Sequence, residues 1–351
     1  MLNLKIVRGP LQPEQNEAIL FDYNRLTNAV IPMNEFVHWV QNGPMGPAWH
    51  AILETDEKQI VGHTSLIPLR TPHGAPNLVP AKSEYSFVHE DFRSMPIRKF
   101  ESVKRAKFLI LVDQLFQHGK GLGWDPIFVS TREANHPLSR RVGCKQAEFP
   151  LWECILIHRP VGAARHTPNL KRKQRAALLV AGVSQQVTWP LLSFTLSKET
   201  GIHPDAIDRR IEEPNSAKLS FFEDQESLRW RYLEGQYARF GFDDTPGDYV
   251  IAKRGSEEKY VRVCQWQLTS AKCVDAVLLA LVRNARQDNA IGVRWAVYDN
   301  EAMAPVLVNR MRKLGFLCAR RSRTLMINTS QPGFYAASEW RVNDSLVSFD
   351  P

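Results

Sequence analysis

The sequence predicts an α/β (α+β) fold in two related halves, each a mixed, largely antiparallel central sheet flanked by helices. Three observations point there. Strand-like and helix-like stretches alternate along the chain, their order recurs in the second half, and the halves match at individual residues. The 351 residues also leave room for about two domains.

In the first half, LKIVR (4–8) reads as a strand and PEQNEAILFDYNRLTN (13–28) as a helix with proline at its start. After the GPMGP loop (43–47), AWHAILE (48–54) and QIVGHTSLIPLR (59–70) read as strands joined by a polar DEK turn, and KSEYSFVH (82–89) as a third. A helix is expected between Val103 and His118, with Phe108, Leu111, Val112, Leu115 and Phe116 on one face. The HGKGLG string at 118–123 ends it as a turn. WDPIFVS (124–130) reads as a strand, ANHPLSRRVG (134–143) as a short helix and FPLWECILI (149–157) as a strand.

The second half repeats part of this order. SLRWRYLEGQ (227–236) reads as a helix, YVIAKR (249–254) and KYVRVCQWQL (259–268) as a hairpin, and CVDAVLLALVRNARQ (273–287) as an amphipathic helix. GVRWAVY (292–298), AMAPVLVNRMRKLGF (302–316) and LCARRSRTLMIN (317–328) complete it as strand, helix and strand. FVHW (36–39) resembles LRWRY (228–232), aligning Trp39 with Trp230, and the closing segments align Gly143 with Gly315. Between these landmarks the second half is shorter by about 19 residues, a strand and its loop, so the counterpart of KSEYSFVH is expected to be missing. The expected domains are 1–158 and 204–330, with a basic linker carrying a helix at 159–203 and a tail at 331–351.

Composition narrows the class. The charge is +8 (45 Lys+Arg against 37 Asp+Glu), with 44% hydrophobic and 23% charged residues, which excludes a disordered, collagen-like or coiled-coil chain. The apolar runs FLILV (108–112) and ALLVAGV (177–183) fall far short of the roughly 20 residues of a membrane helix, and MLNLKIVRGPLQPEQ lacks a signal-peptide core. The expectation is a soluble, cytoplasmic protein without a membrane span. Cys144, Cys154, Cys264, Cys273 and Cys318 form no CxxC pair and lie near no ligand-spaced histidines, so buried thiols are expected, with no disulfide framework and no metal. Basic residues gather at 92–108, 165–175 and 320–323, which suits a phosphate-bearing ligand or a solvated face.

The segments FVHWVQNGPMGPAWHAILETDEKQIVGHTSLIP (36–68) and VHEDFR (88–93), with the helix-Gly-strand that closes each half, resemble the GNAT N-acyltransferase superfamily in a tandem arrangement. The resemblance implies two GNAT-like domains and an acyl-CoA donor, acetyl-CoA favoured, lying between two neighbouring strands of the first. Its pyrophosphate would rest on the N–H groups that begin the following helix. The cofactor loops are atypical: after VHEDFR the chain reads SMPIRKFESVKRAK, without a glycine. The resemblance then assigns donor binding to Phe87, Val88, Arg93, Ser94, Ile97, Arg98, Lys99 and Asn135. It makes Glu84 the candidate base, with His63, His89 and Glu90 behind it, and puts Ser139 where many members carry a tyrosine acid. Tyr85 and Phe87 alternate with Glu84 and Ser86, so one pair is expected to face the core and the other the cleft.

Three functions fit. One is acyl-CoA-dependent N-acylation of an amine on a small molecule, amino sugar or peptide. The second is a degenerate, non-catalytic binding module. The third is a Fem-type aminoacyltransferase that takes its acyl group from aminoacyl-tRNA, for which the basic clusters speak.

Overall fold

The computed structural model describes residues 1–71, 78–100, 106–131, 133–166, 171–193, 202–204, 225–233, 235–242, 245, 247–256, 259–336, 340 and 342. The chain begins β1 (Asn3–Arg8), α1 (Pro13–Thr27), α2 (Met33–Gln41), β2 (Trp49–Glu54), β3 (Ile60–Pro68) and β4 (Val79–Val88). It continues α3 (Lys107–Gly121), β5 (Trp124–Val129), α4 (His136–Arg141) and β6 (Lys145–Ile157), then α5 (Pro160–His166) and α6 (Arg172–Ser193). The rest is β7 (Ile202–Pro204), α7 (Gln225–Arg231), β8 (Tyr237–Phe242), β9 (Tyr249–Lys253), β10 (Val261–Gln267), α8 (Ala271–Gln287), β11 (Gly292–Tyr298), α9 (Ala304–Lys313) and β12 (Leu317–Asn328).

All twelve described strands join one sheet in the order β1-β2-β3-β4-β5-β12-β6-β11-β10-β9-β8-β7. The two closing strands are exchanged. β5 of the first half takes β12 as its antiparallel neighbour, while β6 pairs with β11. The long β6–β12 ladder at the centre therefore ties the halves together, running from Lys145↔Ile327 to Ile155↔Leu317. Cys154 and Cys318 face each other on one rung of it and are paired as a disulfide, against the expectation of free thiols. The pairing is non-local, 164 residues apart in sequence, which is why spacing gave no hint of it. Cys144, Cys264 and Cys273 are buried and free, and burial pushes the Cys144 thiol up to about 12.

Each helix follows from its apolar face. α3 buries Leu111, Val112, Leu115 and Phe116 against β2, β3 and β5; α8 buries Val274, Val277, Leu278 and Leu281. The short helices before β6 and β12 stop at Gly143 and Gly315, each with φ +82°, a left-handed turn that suits glycine. On the opposite face one core runs from α1 and α2 across the sheet to Trp230, Tyr232 and Tyr298 of the second half. Trp39 and Trp230 are core anchors there, at 1% and 4% exposure.

Several expectations need correction. The helix expected to run to Gln236 ends at Arg231, and Tyr237–Phe242 forms β8 where no element was expected, so β8, β9 and β10 precede α8 and that half is not a strand short. The aligned tryptophans lie on α2 and α7, whose hydrogen bonds are reciprocal: His38 meets the Trp230 carbonyl (2.5 Å) and the Trp230 indole donates to the His38 carbonyl (3.3 Å). The helix expected from Val103 is seen from Lys107; residues 101–105 and part of the 165–175 cluster lie outside the described residues. In the tail, Trp340 is fully buried against Phe128 and Phe149.

Candidate active site

The first half holds one parallel strand pair, β4 with β5, and it does not stay paired. The register runs from Val79↔Trp124 to Lys82↔Phe128 and stops, while β4 continues to Val88. The strands part there, and the β5-facing edge of β4 beyond Lys82 is without a β5 partner. A βαβ crossover sets the N-terminus of its helix at the C-terminal ends of its strands, so α3 begins at the mouth of this gap. Ala106, at that start, makes no side-chain capping bond, and the first turn carries no acidic residue. The amides and dipole of a helix N-terminus favour an anion.

A bulge marks the same stretch of β4. Between the rungs His63↔Phe87 and Ser65↔Glu84, Thr64 alone opposes Tyr85 and Ser86. Tyr85 has φ +54°, a left-handed backbone that costs a bulky residue free energy and persists only where its surroundings enforce it. This overturns simple alternation. Glu84 lies on the same face as Lys82, 2.6 Å from its ammonium, and its charge also bears on the Tyr85 hydroxyl. Ser86 turns to the other face, its hydroxyl 2.7 Å from Thr64. Lys82 is fully buried, so this ion pair is desolvated on one side.

The carbonyls of Glu84 and Tyr85 are both taken from β3: Ser65 Oγ donates to the first (3.0 Å) and His63 Nδ1 to the second (2.9 Å). Since a trans peptide directs its N–H opposite to its C=O, the N–H groups of Tyr85 and Ser86 point away from β3. Burial depresses His63 to about 4, its bond to the Tyr85 carbonyl opposing, and His50 is likewise held well below 6.5. His63 is thus a packed, neutral histidine. His89, just past β4, pairs with Asp22 of α1 at 3.0 Å.

The residues expected at the site divide into two groups. Glu84, Phe87 and Val88 lie on the diverging part of β4, although Phe87 and Val88 bury their side chains in opposite cores. Asn135 and Ser139 stand beyond the end of β5, where Ser139 Oγ donates to the Asn135 carbonyl (3.4 Å) and the Asn135 amide to Thr131 (3.1 Å). The basic segment departs instead. Ile97 is fully buried and bridges to Leu2, with backbone bonds from Leu2 to Pro96 and from Arg98 to Leu2, both 2.9 Å. That puts Ile97 and Arg98 outside β1, with three strands between them and β4 and so about 19 Å away. Burial of Ile97 decides the course, and Arg98 pairs with Asp56 (2.9 Å) and Arg93 with Glu90 (3.7 Å). Ser94 and Lys99 lie exposed on the same segment. Ile97 and Arg98, expected among the donor-binding residues, therefore lie away from the mouth of the gap.

The second half repeats the gap but surrounds it with different groups. β10 and β11 pair in parallel only from Val261↔Val293 to Val263↔Trp295. Beyond that, Trp266 stands edge-on to Trp295 (5.8 Å), and Gln265 is held between the hydroxyls of Tyr232 and Tyr249 (2.8 Å each). At the start of α8, Ser270 caps Lys272 N (3.2 Å), and the buried Asp248 carboxylate accepts from Thr269 N (2.9 Å) and its hydroxyl (2.9 Å). The chain thus supplies its own anion at this helix end. The 320–323 cluster is paired internally as well: Arg320 with Asp299, Arg321 and Arg323 with Glu153.

Sequence reasoning passed over Lys82, His50, and the junction where Glu35 of α2 meets Lys253 of β9 (4.0 Å) with Arg231 over Trp39 (4.7 Å). A buried lysine inside a polar-apolar strand carries no periodic signal. Among the described residues no group of three or more His, Cys, Asp or Glu is placed to hold a metal, and no helix is long and apolar enough to cross a membrane.

No known family profile and no curated protein matches the sequence. Solved structures do match in fold. One is a conserved protein of unknown function from Enterococcus faecalis described as a probable N-acyltransferase (8% identity, TM-score 0.55, 92% of this chain and 72% of that one). Another is a GCN5-related N-acetyltransferase from Anabaena variabilis (10%, 0.56, 92% and 72%). A putative acetyltransferase from Pyrococcus horikoshii is similar over nearly the whole of both chains (10%, 0.54, 97% and 93%). At these identities the likeness establishes the fold: this chain has the mixed α/β fold of GNAT-type acetyltransferase structures.

Proposed function

We propose that the protein is an acyl-CoA-dependent N-acyltransferase with one donor site, in the gap between β4 and β5. The observation that carries this is the coincidence, at one place, of a strand edge beyond its last β5 rung, a helix start and a carboxylate. A linear amide-bearing donor such as the pantetheine arm would pair with the free edge of β4, and its phosphates would meet the start of α3. Glu84, paired with Lys82, would accept the proton of the attacking amine. The N–H groups of Tyr85 and Ser86 would meet the charge developing on the thioester oxygen. As the new C–N bond forms and the C–S bond breaks, Ser139, on the β5 side, would donate a hydrogen bond to the departing thiolate, which takes its proton from water.

On this reading the two halves are GNAT-like domains copied from one module, the second having lost its site to Asp248, Trp266 and Gln265. The acceptor, an amine of a small molecule, amino sugar or peptide, would approach over the α1–α2 face in the cytoplasm. Acetyl-CoA is the favoured donor. Isothermal titration with acetyl-CoA and CoA tests this: micromolar to submillimolar binding supports it, and no heat at millimolar ligand overturns it. The Lys82–Glu84 ion pair also favours a second reading, a binding module that retains the groove without turnover, in which case CoA binds and no amine is acylated.

A further inference from the structure

We infer that His63, Thr64 and Ser65, three consecutive residues of β3, are positioning residues that hold the β4 bulge in the shape the reaction uses. The inference rests on the acyltransferase reading and adds the residues that set its geometry. Each of the three grips one residue of the bulge: Ser65 the Glu84 carbonyl (3.0 Å), His63 the Tyr85 carbonyl (2.9 Å), Thr64 the Ser86 hydroxyl (2.7 Å). A positive φ at a tyrosine has to be held by its surroundings, and these bonds supply that hold where ladder pairing is interrupted.

A fourth residue fixes the state of the first. A carbonyl only accepts, so His63 Nδ1 carries the hydrogen towards Tyr85, and its Nε2 in the neutral ring is an acceptor. His50 Nδ1, 3.0 Å away, must then donate. That leaves His50 Nε2 a buried lone pair without a hydrogen-bond partner, beside Gly9. Both rings are fully buried. An unsatisfied buried acceptor is costly, and its cost is borne here for a chain that ends on the bulge. The chain ends on a carbonyl, which takes no proton at neutral pH, so it orients and does not shuttle protons.

The test compares His63→Leu with His63→Asn. Asparagine places an amide N–H near the position of Nδ1 and can still donate to Tyr85; leucine cannot. His63→Leu is expected to lower kcat about tenfold or more, the loss of one buried hydrogen bond in the transition-state geometry, with Kd for acetyl-CoA within about threefold. His63→Asn is expected to restore kcat to within about threefold of the parent. If His63→Leu fails to fold, Ser65→Ala and Thr64→Val remove the other two grips and are each expected to lower kcat with Kd unchanged. Nitrogen-15 spectra of the imidazoles are expected to show both His50 and His63 as the Nδ1–H tautomer. Equal kcat in the parent and these variants, or an Nε2–H tautomer at His63, overturns the inference. The spectra read the chain without any substrate, so a parent that binds no acetyl-CoA defeats the functional reading alone.

Discussion

Lys82 lies opposite Phe128 on the last rung between β4 and β5, and two residues further along β4 the Glu84 carboxylate returns to Lys82. The end of strand pairing and the start of the charged site are thus one event, three residues long. Everything proposed for the gap follows from that position.

Glu84→Gln is the first consequence. The amide keeps the shape and cannot take up a proton, so turnover is expected to fall by about 10²–10⁴-fold. On the proposed reading Glu84 serves the acceptor, so the Kd for CoA is expected to stay within about threefold. Steady-state rates with acetyl-CoA and an amine panel, alongside titration of CoA, check it; equal losses in both would show that Glu84 serves donor binding.

The Asp248 carboxylate at the start of α8 predicts one donor per chain. Titration is expected to give a stoichiometry near one. Asp248→Asn removes a charge that accepts bonds at the start of α8 and is expected to destabilise the fold by about 1–3 kcal/mol in urea unfolding without altering that stoichiometry. Two sites of similar affinity in the parent would contradict the asymmetry.

Stability is expected to fall with acidification between pH 6.5 and about 4. His63 in the unfolded chain takes a proton near 6.5, while the native ring, buried and neutral, resists it down to about 4. Across that window the unfolded state holds more protons, so stability is fully present above it and is lost as pH falls, by up to about 1.4 kcal/mol per pH unit for each such histidine. His50 and His158 shift in the same direction, both chiefly from burial. Urea unfolding from pH 4.5 to 7.5 is expected to show a shallower slope in His63→Asn than in the parent; identical slopes would refute it.

Trp340 fills the tail side of the shared core, with no exposure and ring contacts to Phe128 (5.6 Å) and Phe149 (6.3 Å). Trp340→Ala is expected to cost about 3–5 kcal/mol. A change below about 1 kcal/mol by urea unfolding would place the tail outside the folded unit.

The sequence made most of the elements legible, because α3, α8 and the hairpin strands obey their own periods. The resemblance likewise anticipated the acetyltransferase-like fold and Glu84 on β4. What it hid is non-local. The exchange of β6 and β12, and with it the Cys154–Cys318 pair, depends on partners more than 160 residues apart. The bulge was hidden because alternation through KSEYSFVH assumes an extended Tyr85, and its positive φ is imposed from β3. The place of Arg98 was hidden because charge was weighed without its neighbour: Ile97 buries beside Leu2 and carries Arg98 with it. β8 was missed because the helix was carried on through Gly235, whose φ of +80° marks the turn that leads into YARFGF.

A crystal structure with bound CoA tests the central claim most directly. The account predicts a pantetheine arm hydrogen-bonded to β4 between Glu84 and Val88, with phosphate density at the start of α3 and none at α8. A gap closed by the protein's own side chains, with CoA absent or bound elsewhere, would contradict it.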